Sequence, residues 1–483
     1  MRSRLLGFLC AAACASSCAP ATVTAPASQP VPALSAAQEA QIGAQADRQL
    51  RGEAGVLNDR ALEREVQQAE RQLAAAFGSP ARAWHTTVLD FAAPNAFALP
   101  GGHVYLTRGL LPYLSSRGEL AAVLAHEMAH VVLGDADEDY LAGSETLPAD
   151  LGVFRTVARL FGAPMAPAVA RALFASHDAG REQAANERAG AALAAAGFHP
   201  AAINDVLETL DRLGLVTDAR GVPPWGMTHN RGIRLDLSSL PALPAPRSTP
   251  PSPSRAADYD FIFRLRGLLF GDDPRLGLLR VNEFVSANLK IALAIPDEWV
   301  VSSDRTRMIA ASRDQDAFIV LQRVSGWRER QPAVTAARLA ARAGLRQPVG
   351  STLTIDGAPV YMGTTSGTVE GLGEARARIG CLQEPHGQFV VAGIAGSDTY
   401  SDMESEFAAA IQSVRALSDA EAGRILPARI ELETAEPGDT WDTIARRHGG
   451  VVMGDVLAIL NHAAVDHPVP AGTRVKVVVA SEK

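Results

Sequence analysis

Apolar positions recur at helical spacing through the first part of the chain. From about Ala33 to Ala76 the sequence is rich in Ala, Gln, Glu and Arg, and Leu62, Val66, Ala69 and Leu73 fall on one face of a helix. The pattern then changes to alternation. His85 to Asp90 and His103 to Thr107 read as strands on either side of Asn95-Ala96-Phe97-Ala98-Leu99-Pro100-Gly101-Gly102. A second helical run follows, with Leu120, Val123, Leu124 and Val131 as its apolar stripe. Ser116 and Glu119 form a capping box ahead of it, and Gly134 stands where a C′ residue is expected. Between Leu240 and Ala256 the Pro/Ser-rich stretch cannot continue a helix or a central strand, so it predicts a linker. Beyond it, short alternating segments (Leu289 to Ile295, Ala317 to Val324, Val360 to Thr365, Phe389 to Ile394) and two helical patterns (Val334 to Ala343, Asp402 to Val414) predict an α+β sandwich.

Composition narrows the class. A chain of 483 residues accommodates roughly two to four domains, and 47% hydrophobic content is ample for folded cores. The net charge of −8 leaves no basic excess to neutralise phosphates, which argues against nucleic-acid binding. At the N-terminus Arg2 and Arg4 precede a short apolar run, Leu5 to Ala13, too short to span a bilayer. This reads as an export signal. Ala15-Ser16-Ser17 then leads to Cys18, and the stretch resembles a bacterial lipoprotein signal in which Cys18 becomes the lipidated first residue; Cys14 is a second candidate. A plain secretory signal cut near Ala19 is the competing reading. Cys10, Cys14 and Cys18 all lie in this region and leave Cys381 alone in the folded part, so no intrachain disulfide is expected. The Ala/Pro/Thr/Ser-rich run from Ala19 to Pro32 reads as a flexible tether. Together these features predict a lipid-anchored protein of the Gram-negative periplasm, and Ala19 after the cysteine points to the outer membrane by analogy with lipoprotein sorting.

The chemistry concentrates in Leu124-Ala125-His126-Glu127-Met128-Ala129-His130, an HExxH signature inside the second helical run. Residues four apart on a helix lie about 40° apart around its axis, so His126 and His130 present their imidazoles side by side. That spacing suits one tetrahedral zinc ion, with Glu127 placed to take a proton from its water. An ordinary core helix with two satisfied histidines is the bland alternative.

The residues around the signature carry a resemblance. Asn95 to Gly102, a strand, Thr107-Arg108-Gly109-Leu110-Leu111 and then Leu-Ala-His-Glu-Met-Ala-His resemble the HtpX-like and CAAX-prenyl-endopeptidase-like zinc peptidases, metallopeptidase family forty-eight, the minigluzincins. The similarity runs from about Gln41 to Leu237. It implies a third zinc ligand from a later helix in the pattern Glu-x-x-x-Asp. Glu182 matches the ligand, and Asn186 stands where the family has Asp, so the charge behind a zinc-ligand histidine is missing. Two His, one carboxylate and an open fourth position make a sensible catalytic zinc site, while a solvated Glu on an Ala-rich helix is the alternative.

The resemblance also implies that Phe97, Ala98 and Leu99 form an edge strand binding polypeptide by β-augmentation. His229, in Gly226-Met227-Thr228-His229-Asn230, corresponds to a family Thr-His-Pro segment that stabilises the oxyanion or caps the zinc; an ordinary surface histidine is the competing reading. The roughly fifty residues between His130 and Glu182, including Leu151 to Ala175, would form a helical plug or lid over the cleft.

Near the C-terminus, Gly438-Asp439-Thr440-Trp441, Asn461 and the final Ala471 to Val477 resemble a LysM module, a β-α-α-β unit whose members recognise N-acetylglucosamine polymers such as peptidoglycan. A compact tail packed on the protease is the other reading. The expected fold is thus multidomain α+β. It comprises a signal peptide (1–17), a tether (18–36), a mainly helical zincin peptidase domain with a small sheet (37–239), a linker (240–256), an α+β accessory domain (257–425) and a LysM-like module (426–483). The expected activity is zinc-dependent hydrolysis of peptide bonds in misfolded or misassembled envelope proteins, with one zinc per chain. The alternative is a lipid-tethered periplasmic chaperone or peptidoglycan-binding protein with a weakened or inactive site.

Overall fold

A computed structural model describes residues 34–78, 83–142, 179–219 and 260–480, apart from 281, 298, 304–305, 313–315, 325–330, 356–357 and 370–371. Cys14, Cys18, His229, the proposed lid 151–175 and the linker 240–256 lie outside the described residues.

The long helical pattern at the start forms two helices, α1 (Ala36–Ala54) and α2 (Arg60–Ala76). Asp59 caps the second, accepting from the N–H groups of Ala61 and Leu62, and so divides the run. Three strands follow: β1 (His85–Leu89), β2 (Ala96–Leu99) and β3 (His103–Thr107). β3 lies in the middle, parallel to β1 and antiparallel to β2, so β2 is an edge of this sheet. Then come α3 (Arg117–Leu133), α4 (Asp135–Ala142), α5 (Ala179–Ala196) and α6 (Ala202–Ala219). α3 packs against α2, α5, α6 and β2. Every residue from Glu119 to Val131 is buried, as a helix wrapped on all sides requires.

The chain re-enters the described region at helical residues 260–264 and β4 (Leu269–Phe270). Sequence pattern assigns this stretch to the accessory domain, yet Phe261, Leu265 and Leu268 belong to the same hydrophobic core as α2, α3 and α5. β4 then pairs with β16 (Ala428–Thr434), which pairs in turn with β17 (Arg474–Ala480). Between β16 and β17 stand α10 (Trp441–Arg447) and α11 (Gly454–Leu460), giving a β-α-α-β order. Its Ile430, Trp441, Ile444, Leu457, Val475 and Val477 share the peptidase-side core.

The accessory unit is therefore inserted between β4 and β16. It holds β5 (Leu278–Arg280), β6 (Glu283–Ser286), β7 (Ile291–Ala294), β8 (Val300–Ser303), β9 (Arg307–Ala311), β10 (Ala317–Val324), α7 (Pro332–Arg342), β11 (Val349–Ile355), β12 (Ala358–Val369), β13 (Gly373–Glu384), β14 (Gly387–Gly396), α8 (Tyr400–Gln412), β15 (Arg415–Ala416) and α9 (Asp419–Gly423). Seven strands form one antiparallel sheet in the order β11-β12-β13-β14-β10-β9-β8, and a smaller sheet runs β15-β7-β6-β5. Alternation along β10 feeds both faces of the large sheet. Ile319 and Leu321 meet Phe407 of α8, while Phe318 and Val320 meet Ala336 and Ala340 of α7. Gly393 lets α8 sit close, since a Cβ there would lie 2.1 Å from the Phe407 ring. Cys381 is buried in this sheet, where burial pushes its thiol up to about 12, the mark of an unreactive core cysteine. No described helix is long and apolar enough to cross a membrane.

Candidate metal centre

α3 begins at Ser116, whose Oγ accepts from the Glu119 N–H at 3.0 Å. The reciprocal bond is displaced by one residue: the Glu119 carboxylate accepts from the Ser115 N–H at 2.8 Å. The helix ends at Gly134, which takes φ 90° and donates its N–H to His130 and Val131. That left-handed residue turns the chain sharply and is cheap only for glycine.

Two turns into the helix core, His126 and His130 face one another with their Nε2 atoms 3.1 Å apart and rings edge to face. Glu182, from the first turn of α5, brings its carboxylate between them. One oxygen lies 3.4 Å from His126 Nε2 and the other 3.7 Å from His130 Nε2. All three side chains are buried, Glu182 to 1% exposure.

The tautomers follow from what lies behind each ring. The Asp135 carboxylate, 2.8 Å from His130 Nδ1, only accepts, so the proton sits on Nδ1 and donates outward. Asn186 Oδ1 lies 3.0 Å from His126 Nδ1 and receives that proton likewise. Both Nε2 atoms then turn towards each other and towards a buried carboxylate, three ligand atoms that one cation could join. A tetrahedral ion with nitrogen and oxygen ligands about 2.0–2.2 Å away holds its ligand atoms roughly 3.3 Å from one another. The three donors lie within 4.8 Å of each other, so they fit such an ion with little adjustment.

Of the residues singled out from sequence, the structure brings together His126, His130, Glu182 and Asn186, with Glu127 buried on the same helix at 2% exposure. Phe97, Ala98 and Leu99 fall on β2, the sheet edge packed against α3, and Phe97 stacks on Tyr105 with centroids 5.0 Å apart. Asp135 was not singled out by the spacing argument. Its signal was a carboxylate directly after the helix-ending glycine, and a search for the partner that a ligating histidine ordinarily requires would find it. Arg181 lies 3.9 Å from the other Asp135 oxygen and pairs with Glu138, tying α5 to α4 beside the centre.

Residues 60–255, which hold the HExxH helix and the glutamate that joins it from a second helix, match the model of peptidase family M48. Among similar proteins is the β-barrel assembly-enhancing protease of Escherichia coli strain K12, 37% identical over 98 residues, covering 20% of this chain and 20% of that protein. Another is the mitochondrial metalloendopeptidase OMA1 of Schizosaccharomyces pombe, 42% identical over 67 residues, covering 14% of this chain and 20% of that one. The chain spans about a fifth of the length of the curated relatives it matches. Among solved structures, cyanobacterial PsbP from Synechocystis sp. PCC 6803 aligns with 30% of this chain and 98% of its own at 10% identity and TM-score 0.24.

Proposed function

We propose that the chain is a zinc-dependent endopeptidase of the bacterial cell envelope, hydrolysing peptide bonds in misfolded or misassembled polypeptides. The observation that carries this reading is the convergence of His126 Nε2, His130 Nε2 and the Glu182 carboxylate within 4.8 Å of one another. These three residues would hold zinc, which when bound supplies a Lewis acid for the scissile carbonyl and lowers the pKa of water. Glu127 is the general base: its carboxylate takes the proton from the attacking water and returns it to the leaving amine nitrogen. Asp135 and Asn186 orient the two imidazoles through Nδ1. Among the described residues β2 is a sheet edge beside α3, suited to an extended polypeptide bound through main-chain hydrogen bonds with little demand on its sequence. His229 would act on the oxyanion or as a zinc cap.

The envelope assignment draws on the lipoprotein-like N-terminus with Cys18 and on the similarity to a β-barrel assembly-enhancing protease. It places the protein in the periplasm, lipid-anchored at the outer membrane. Mass analysis of the mature N-terminus tests the anchor. A peptidoglycan-binding role for the last segment draws on its Gly438-Asp439-Thr440-Trp441 opening and β-α-α-β order, and co-sedimentation with purified peptidoglycan tests it.

The central experiment uses the full chain with zinc and an unfolded protein such as casein. Glu127→Gln should retain about one zinc per chain and lose cleavage by roughly two to four orders of magnitude. Equal cleavage by wild type and Glu127→Gln would remove the endopeptidase reading.

A further inference from the structure

The C-terminal β-α-α-β unit reaches the start of α3 from more than three hundred positions away, and besides the shared apolar core it makes polar contacts there. Lys476 of β17 is 1% exposed. Its Nζ donates to the carbonyls of Pro112 at 2.7 Å and Leu114 at 3.1 Å and to Ser115 Oγ at 3.1 Å, the residues that lead directly into α3. An ammonium has three protons and no lone pair, so three acceptors satisfy it fully. Burial nonetheless pushes Lys476 down to about 7, against the pull of the nearby Glu119 carboxylate. A lysine kept there at such cost has a definite task.

His462, in the turn after α11, makes the second contact. Its Nε2 donates to the Tyr113 carbonyl at 2.9 Å and lies 3.5 Å from Glu119 Oε2. His462 adopts φ 55°, one of two non-glycine residues with positive φ among the described residues. A ring-bearing side chain held there signals local strain maintained by its surroundings. Asn461 fastens this turn to β17, accepting from the Lys476 N–H at 2.7 Å and donating to its carbonyl at 2.9 Å. Arg212 of α6 donates to the Ala463 carbonyl. Lys476 and His462 thus form one rigid element that grips residues 112–115 and Glu119.

We infer that the C-terminal unit acts in cis as a clamp setting the position of the HExxH helix, with Lys476 and His462 as positioning residues for the reaction. The inference rests on the reading of α3 as the catalytic helix. Glu119 stands seven residues before His126, two turns along the same rod, so a shift at the capped end displaces both imidazoles relative to Glu182. Displacements of an ångström are enough to change a rate by up to about 100-fold. The unit's role within its own chain does not require it to bind any glycan.

The test uses full-length protein carrying zinc. Lys476→Met removes the ammonium and keeps the buried stem. His462→Ala removes the donor to Tyr113, while His462→Gln can restore an N–H near the same carbonyl. Ile444→Ala, in the core of the same unit and outside the hydrogen bonds to residues 112–119, controls for lost stability. At a temperature where all four are folded, Lys476→Met and His462→Ala should lower kcat on a casein-derived peptide roughly tenfold or more, with KM within about twofold. His462→Gln should recover most of the rate and Ile444→Ala should keep it. Hydrogen exchange of the amides at 117–122 should accelerate in the two impaired variants alone. Unchanged kcat and unchanged exchange in both would overturn the clamp. A wild type that cleaves nothing would count against the peptidase reading instead, and the exchange rates would still decide whether the clamp exists.

Discussion

The two ends of α3 are secured by opposite means. At the C-terminal end the main devices are local: Gly134 turns the chain and Asp135, the next residue, backs His130 five positions away. At the N-terminal end the local Ser116 cap is joined by remote partners, with Lys476 reaching back 364 positions to the Pro112 carbonyl. A local device costs little ordering entropy and forms as the helix forms, whereas the remote one exists only after the whole chain has folded. The candidate metal centre sits between them. Its His130 is backed by a charged neighbour from the adjoining turn, and its His126 by a neutral amide from another helix. Metal binding should therefore depend most on the local end, and the helix's placement on the remote one.

Breaking the local end gives the largest effect. Asp135→Asn keeps the shape and removes the charge, making both histidines amide-backed. Loss of such a partner costs about 10–100-fold in metal affinity or activity. Zinc affinity measured by chelator competition should fall by that much, and kcat/KM should fall with it. An Asp135→Asn protein that binds zinc as tightly as wild type would show that the carboxylate adds nothing to His130 beyond orientation.

The remote end is expected to write itself into the pH dependence of stability. The folded protein releases the Lys476 proton near 7, while the unfolded chain holds it to the ordinary 10.5. Between those values the unfolded state binds more protons, so stability rises with pH. Below about 7 both states are charged and the burial penalty is fully present. Wild type should gain stability relative to Lys476→Met from pH 7 to about 9.5, by an amount on the order of a few kcal/mol, read from urea midpoints. Burial raises Glu119 as well, in wild type and Lys476→Met alike. Parallel curves for the two proteins would mean that the lysine loses its proton in neither state over this range.

The same contrast explains what was legible in the sequence. The side-by-side imidazoles follow from a fixed helical rise and rotation, so seven letters suffice to place them. The strands at Ala317–Val324 and Gly387–Gly396 announce themselves because alternation serves both faces of one sheet. Glu182 was reachable only through family resemblance, since nothing in an Ala-rich helix says which Glu turns inward. Lys476 and His462 left no trace. Their partners are main-chain carbonyls, which carry no side-chain letter, and a lysine in a terminal strand looks like a solvated one. The pairing of β4 with β16 was hidden for a similar reason: two residues are too short for a pattern, and the insertion between them breaks the expected boundary at 257.

Asn186→Asp is the smallest change and sharpens the comparison most. The amide oxygen already lies 3.0 Å from His126 Nδ1, so the substitution alters charge at nearly constant geometry. Asn186 is fully buried and its Nδ2 has no hydrogen-bond partner among the described residues. Replacing that donor by an acceptor therefore breaks no bond there, although it brings a carboxylate into a dry setting one helical turn from Glu182. Without the metal this added negative charge is repulsive, and the zinc-free protein should lose stability. With zinc bound the charge is compensated and His126 becomes the stronger donor. Zinc affinity should rise by a few-fold to about tenfold, and the melting difference between zinc-loaded and stripped protein should widen. If Asn186→Asp binds zinc no more tightly than wild type, the amide already suffices, and His130 with its adjoining carboxylate sets the strength of the centre.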